Sequence, residues 1–87
     1  MKNLWKEAIT KLGPETSTFK ALIYLAFSKE PCKPADISSG TGISPGTIRP
    51  ALRSLLKMGF LIQEPDGSYK SKIPFTEIVS SIFQPND

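Results

Sequence analysis

The stretch ADISSGTGISPGTIRPALRSLLKMGFL, from Ala35 to Leu61, decides the fold. It reads as a short helix, a tight turn, a longer helix, a glycine stop and a strand. Gly42 stands where the first helix ends and the chain reverses. Left-handed backbone there is cheap for glycine and costly for most other residues. Ile43 follows as a buried plug between the helices. Ser44 is a good N-cap, its hydroxyl suited to accept from a backbone N–H of the first turn. Pro45 suits the first helical position, where its missing N–H is no loss. Ile48, Leu52, Leu55 and Leu56 then recur at i, i+4, i+7 and i+8, which makes one buried helical face. Arg49, Arg53 and Lys57 recur at i, i+4 and i+8 on another. Gly59 ends the helix and Phe60 folds back on it. The spacing predicts helices over 34–41 and 45–58.

Pro50 interrupts this pattern. It falls at the sixth position of the second helix, removes a bond to the Gly46 carbonyl and crowds that carbonyl. Two outcomes are open. The helix kinks, or its regular part begins nearer Thr47 with residues 44–46 as a looser turn. In neither case does position 50 offer a hydrogen-bonding group to a base edge.

Outward from this unit, Leu4, Trp5, Ala8, Ile9 and Leu12 mark an amphipathic helix over 4–12, stopped by Gly13-Pro14. Trp5 reads as core or as a dimer contact. Thr16, Ser17 and Thr18 offer caps for a central helix over 17–28. Its buried face is Phe19, Leu22, Ile23, Ala26 and Phe27, with Tyr24 and Leu25 widening it. Pro31-Cys32-Lys33-Pro34 is a breaker that allows at most an edge strand. Residues 61–73 read as a hairpin, with a strand from Leu61 to Glu64, a turn at Pro65-Asp66-Gly67-Ser68 and a return to Ile73. Alternation puts Ser68, Lys70 and Lys72 on one face and Tyr69, Ser71 and Ile73 on the other. Phe75, Ile78, Val79, Ile82 and Phe83 mark a last amphipathic helix over 75–84. The terminal helices either complete the core or pair with a second protomer as a homodimer.

The segment Gly42 to Leu61 resembles the DNA-binding part of the MarR, TrmB and GntR groups of prokaryotic regulators. The resemblance rests on Gly42-Ile43-Ser44, Thr47-Ile48, Leu52, Leu55 and Gly59-Phe60-Leu61. It covers about a third of the chain closely, and is specific for the fold rather than for one family. It implies a winged helix-turn-helix of the α+β class, mainly helical, with a two- or three-stranded wing. It also implies a transcriptional regulator whose partner is double-stranded DNA. In that reading the hydroxyls of Ser44 and Thr47, with N–H groups at the helix front, contact phosphates. Arg49 and Arg53 reach base edges, since a guanidinium makes two bonds to guanine. Lys57 meets the DNA backbone, and Lys70 and Lys72 reach phosphates beside the wing. The plain alternative for each cation is a solvated surface charge. The alternative function is a winged-helix protein–protein interaction module of a transcription or replication assembly, favoured by Pro50 and by Asp66 at the wing tip.

Composition narrows the remaining classes. Eighty-seven residues make one domain. The longest apolar run, Ala21 to Phe27, is far short of the roughly 20 residues that span a bilayer. No signal-peptide pattern appears, so a cytoplasmic, nucleoid-associated protein with no membrane partner is expected. There is one cysteine and no histidine. No intrachain disulfide can form, a Cys/His metal site within one protomer is excluded, and no cofactor is expected. Cys32 reads as a half-buried structural thiol where a short first strand would sit, with a redox role as the sharper alternative. The net charge is +3. Between Ser44 and Lys72 five cations face Glu64 and Asp66, so this region carries the whole excess. No nucleophile has an evident base and no glycine loop of phosphate-binding form exists; Gly40-Thr41-Gly42 is a helix stop. An enzyme is not expected.

Overall fold

The computed structural model describes residues 16–83. In chain order it has α1 (Ser17–Phe27), α2 (Pro34–Thr41), α3 (Pro45–Lys57), β1 (Leu61–Gln63), β2 (Tyr69–Ser71) and α4 (Phe75–Phe83). The helix expected over 4–12 lies outside the described residues. The architecture is mainly helical with one small antiparallel sheet, a winged helix-turn-helix of the α+β class.

Local chemistry sets the ends of each helix. Thr16 caps α1, its Oγ1 accepting from the Phe19 N–H at 3.1 Å. One residue past Phe27, Ser28 turns extended, and its hydroxyl donates back to the Tyr24 carbonyl at 2.7 Å. At the start of α2 the Asp36 carboxylate reaches back to the Lys33 N–H at 3.2 Å, the acidic half of a capping box. Gly42 ends α2 in the left-handed region at φ 79°, and its N–H donates to the Ser38 carbonyl at 2.9 Å. The reversal is netted by hydroxyls. Thr41 donates to the Ile37 carbonyl at 2.7 Å and accepts from the Ile43 N–H at 3.2 Å. Ser38 donates to the Ile43 carbonyl. Helix α3 closes in a Schellman motif about Gly59. Gly59 N–H donates to Leu56 and Phe60 N–H to Leu55, both at 3.0 Å, and buried Phe60 packs beside Leu55 in the core.

α1 is the hub of the fold and packs against α2, α3, α4 and β2. The core is Phe19, Leu22, Leu25, Ile37, Ile48, Leu52, Leu55, Phe60, Leu61, Ile73 and Ile78, with Ala21 between the larger side chains. The face of α1 is rotated from the expected one. Ala21 is fully buried, Ile23, Tyr24 and Ala26 are half-buried, and Phe27 is 72% exposed. Packing α2 and α3 on one side of α1 centres its stripe on Leu22 and Leu25 and leaves Phe27 on the flank. In α3, Ala51 joins Ile48, Leu52 and Leu55, while Leu56 is half-buried at the edge. Gly40 serves a close approach. A Cβ there would overlap the Tyr24 ring, which lies on the bare backbone of α2.

The sheet pairs Leu61 with Ser71, Ile62 with Lys70 and Gln63 with Tyr69. The strands are shorter than expected, because Glu64 and Ser68 already belong to the turn. Ser68 also departs from the expected alternation and is buried. Its N–H and hydroxyl both donate to Asp66 Oδ1, at 3.0 and 2.6 Å, so its polar groups are paired within the turn. The short first strand reduces to one bridge. Cys32 exchanges bonds with Tyr69, at 2.9 Å from Cys32 N–H and 2.7 Å from Tyr69 N–H. Pro31 and Pro34 prevent its extension, since neither offers a donor. The Cys32 thiol is half-buried.

Candidate nucleic-acid interface

The front of α3 is built from the turn onward. Ser44 takes the N-cap position with extended backbone, φ −63° and ψ 151°, but its hydroxyl does not cap the helix. It donates instead to Thr47 Oγ1 at 3.2 Å. The Ser44 carbonyl receives the N–H groups of Thr47 and Ile48 at 3.0 and 2.9 Å. The expected cap bond is therefore absent, because the Thr47 N–H is already turned onto that carbonyl. The Gly46 N–H has no acceptor among the described residues and faces solvent. Two hydroxyls and one N–H thus share an exposed helix front that carries the positive end of the helix dipole.

Pro50 lies inside a helix that runs unbroken from Pro45 to Lys57. The expectation of a helix beginning nearer Thr47 is not met. The residue it crowds is Gly46, which has no side chain and open space around it. Gly46 and Pro50 are both exposed, so water can meet the carbonyl that loses its donor.

Arg49, Arg53 and Lys57 are all exposed on α3. None has an acidic partner among the described residues. The buried stripe of Ile48, Ala51, Leu52 and Leu55 holds the opposite side of the helix against the core. Arg49 and Arg53 also border a hollow of about 240 Å³ between α3, the start of α2 and the wing. Its other walls include Pro34, Leu52, Gln63 and Tyr69. The Gln63 amide donates to the Tyr69 hydroxyl at 3.2 Å. Sequence reading missed Gln63 and Tyr69 as members of this surface. Their register opposition across the hairpin was the available signal, but their nearness to Arg49 and Arg53 depends on how the hairpin packs.

Lys70 and Lys72 are exposed on the wing but do not line the hollow. Lys70 stands opposite Ile62, while the Lys72 backbone N–H is bonded to the Phe60 carbonyl at 2.8 Å. The wing tip has the opposite sign. Its turn is closed by Gly67 N–H to the Glu64 carbonyl at 2.9 Å and Glu64 N–H to the Ser68 carbonyl at 2.8 Å. The Ser68 side-chain and backbone hydrogen bonds hold the Asp66 carboxyl below its ordinary pKa, with nearby Lys33 adding to the effect. Glu30, Glu64 and Asp66 border one hollow there with Pro31, Pro65 and Ser68. By strand alternation Lys70 stands on the face of the hairpin opposite Gln63 and Tyr69, and the wing tip carries Asp66.

No group of three or more potential metal ligands occurs among the described residues. No helix among them is long and apolar enough to cross a membrane. In α4, Ile78 is buried in the core of its own chain, so this helix completes the core.

Residues 18–65, more than half of the chain, match the IclR helix-turn-helix domain family. The match takes in α1, α2, α3, β1 and the start of the wing turn. No curated protein and no solved structure matches the chain.

Proposed function

The chain belongs to the IclR helix-turn-helix family of prokaryotic transcription regulators and is a DNA-binding domain; on that premise we propose how it reads duplex DNA. The outer face of α3 enters the major groove. Arg49 and Arg53 reach base edges there, each guanidinium able to pair with the two acceptors of a guanine. The Ser44 and Thr47 hydroxyls and the Gly46 N–H meet a phosphate at the helix front. Lys57, Lys70 and Lys72 neutralise flanking phosphates. The wing approaches by its strands, because the anionic tip at Asp66 is repelled by the DNA backbone. Gln63 and Tyr69 add an amide and a phenol beside the two arginines, suited to phosphate or sugar contacts.

The observation that carries this reading is the position of Arg49 and Arg53. They are exposed, without acidic partners among the described residues, and they stand beside the wing. An apolar protein groove is less well matched. Of the large hydrophobics exposed among the described residues, Phe27, Met58 and Ile62, none lies within α3.

Fluorescence anisotropy across a salt series tests the electrostatic part. About four phosphate contacts per protomer give a log-affinity against log-salt slope of roughly −3.6. A flat response rejects DNA binding by this face. Recovery of genomic fragments by the wild-type chain and by the Arg49→Ala, Arg53→Ala double variant tests the readout. Equal recovery of the same fragments would remove the two arginines from the site.

A further inference from the structure

A second feature lies away from the recognition face and shares no lining residue with the hollow beside Arg49. It is an apolar groove of about 540 Å³ along the outer flank of α1. Phe19, Ile23, Tyr24 and Phe27 line it from α1 together with Lys20, and Thr41 and Phe75 line it from α2 and α4. Phe27 is 72% exposed here, although its ring already makes an edge-on contact with Phe75 at 5.2 Å between centroids. So large an aromatic surface on a small domain marks an unfilled contact.

We propose that the occupant is the chain's own segment 4–12, lying antiparallel along α1 in the same molecule. The apolar stripe of that segment is Leu4, Trp5, Ala8, Ile9 and Leu12. The connection decides the direction. Only Gly13, Pro14 and Glu15 separate Leu12 from Thr16, the cap of α1. Helices joined by so few residues are antiparallel neighbours. The lengths also agree. Leu4 to Leu12 and Phe19 to Phe27 are both eight steps, about 12 Å at the helical rise. Leu12 then lies beside Phe19, Ile9 beside Ile23, and Trp5 against Phe27 and Phe75. Segment 4–12 and Phe75 both fall outside the residues that match the family. The contact encloses the flank of α1 left open by α2 and α3.

Trp5 is the only tryptophan, so the intact chain reports on this contact directly. In the wild type its emission is expected to be blue-shifted, shielded from acrylamide and unchanged on dilution. Phe27→Asp should give the red-shifted emission of a solvated indole and several-fold stronger quenching. Circular dichroism should be preserved, because Phe27 lies outside the core. Ile9→Asp alters only the segment and should produce the same change, which decides the matter if Phe27→Asp loses helix content. Ile62→Asp on the wing should leave Trp5 unchanged. Three results would each overturn the proposal: solvent-like Trp5 emission in the wild type, emission indifferent to Ile9→Asp, or a blue shift that disappears on dilution as a dimer dissociates. The last would assign the groove to a second copy.

Discussion

The sharpest consequence of the surface concerns its lysines. Lys57, Lys70 and Lys72 are exposed, and their side chains have no acidic partner among the described residues. Their replacement by alanine therefore breaks no ion pair and opens no cavity, and stability should stay within about 0.5 kcal/mol of wild type. Binding should respond differently. Each neutralised phosphate contributes about 0.9 to the salt slope, so the triple variant should lose about 2.7 from a slope of roughly −3.6. Raising salt from about 50 to about 200 mM should then weaken the wild type about 150-fold and the variant only about 3.5-fold. The loss should be nearly uniform across sequences, because phosphates carry no sequence information. Anisotropy titrations with one specific and one random duplex over that range read both quantities. An unchanged slope in the triple variant would refute the assignment of these lysines to the DNA backbone. A loss confined to the specific duplex would refute their separation from the arginines.

Arg49→Ala and Arg53→Ala should each cost about 1–3 kcal/mol of discrimination at one base position while sparing random duplex; competition against a library of single-base variants reads this. Gly42→Ala should destabilise the fold by about 1–2 kcal/mol, because φ 79° is strained for alanine. A Cβ at Gly42 meets nothing within 4 Å, so the whole effect is backbone and appears as a lower urea midpoint with unchanged m. Asp66 has a lowered folded-state pKa, chiefly from its bonds to Ser68. Its stabilising contribution is present above the unfolded aspartate value near 3.9 and is lost as pH falls through the lower folded value. Denaturation of Asp66→Asn across pH 2 to 6 should show less loss of stability on the acid side than wild type. The same variant should bind DNA more tightly, since it removes a like charge from the wing tip.

What the sequence alone determined about this protein is what neighbouring residues decide among themselves. The left-handed glycines at 42 and 59, the proline at the first turn of α3 and the 3.6-residue recurrence of Ile48, Leu52 and Leu55 act within a few residues of each other. They made the helix-turn-helix unit and the exposed basic stripe legible, and with them the class of partner. The resemblance named the MarR, TrmB and GntR groups where the match is to the IclR family. The shared turn is specific for the fold and weak for the family.

Tertiary packing decided the rest. Phe27 stands outside the core because α2 and α3 occupy one side of α1, which no periodicity within α1 reveals. Gly40 lets the ring of Tyr24, sixteen residues away, lie on the backbone of α2. Ser68 is buried in the turn ahead of β2, and Cys32 finds its partner in Tyr69 across the whole helix-turn-helix. Gln63 and Tyr69 join Arg49 and Arg53 only when the hairpin packs beside α3. Contacts between residues far apart in the chain depend on how whole elements settle together, and a local pattern carries no record of that.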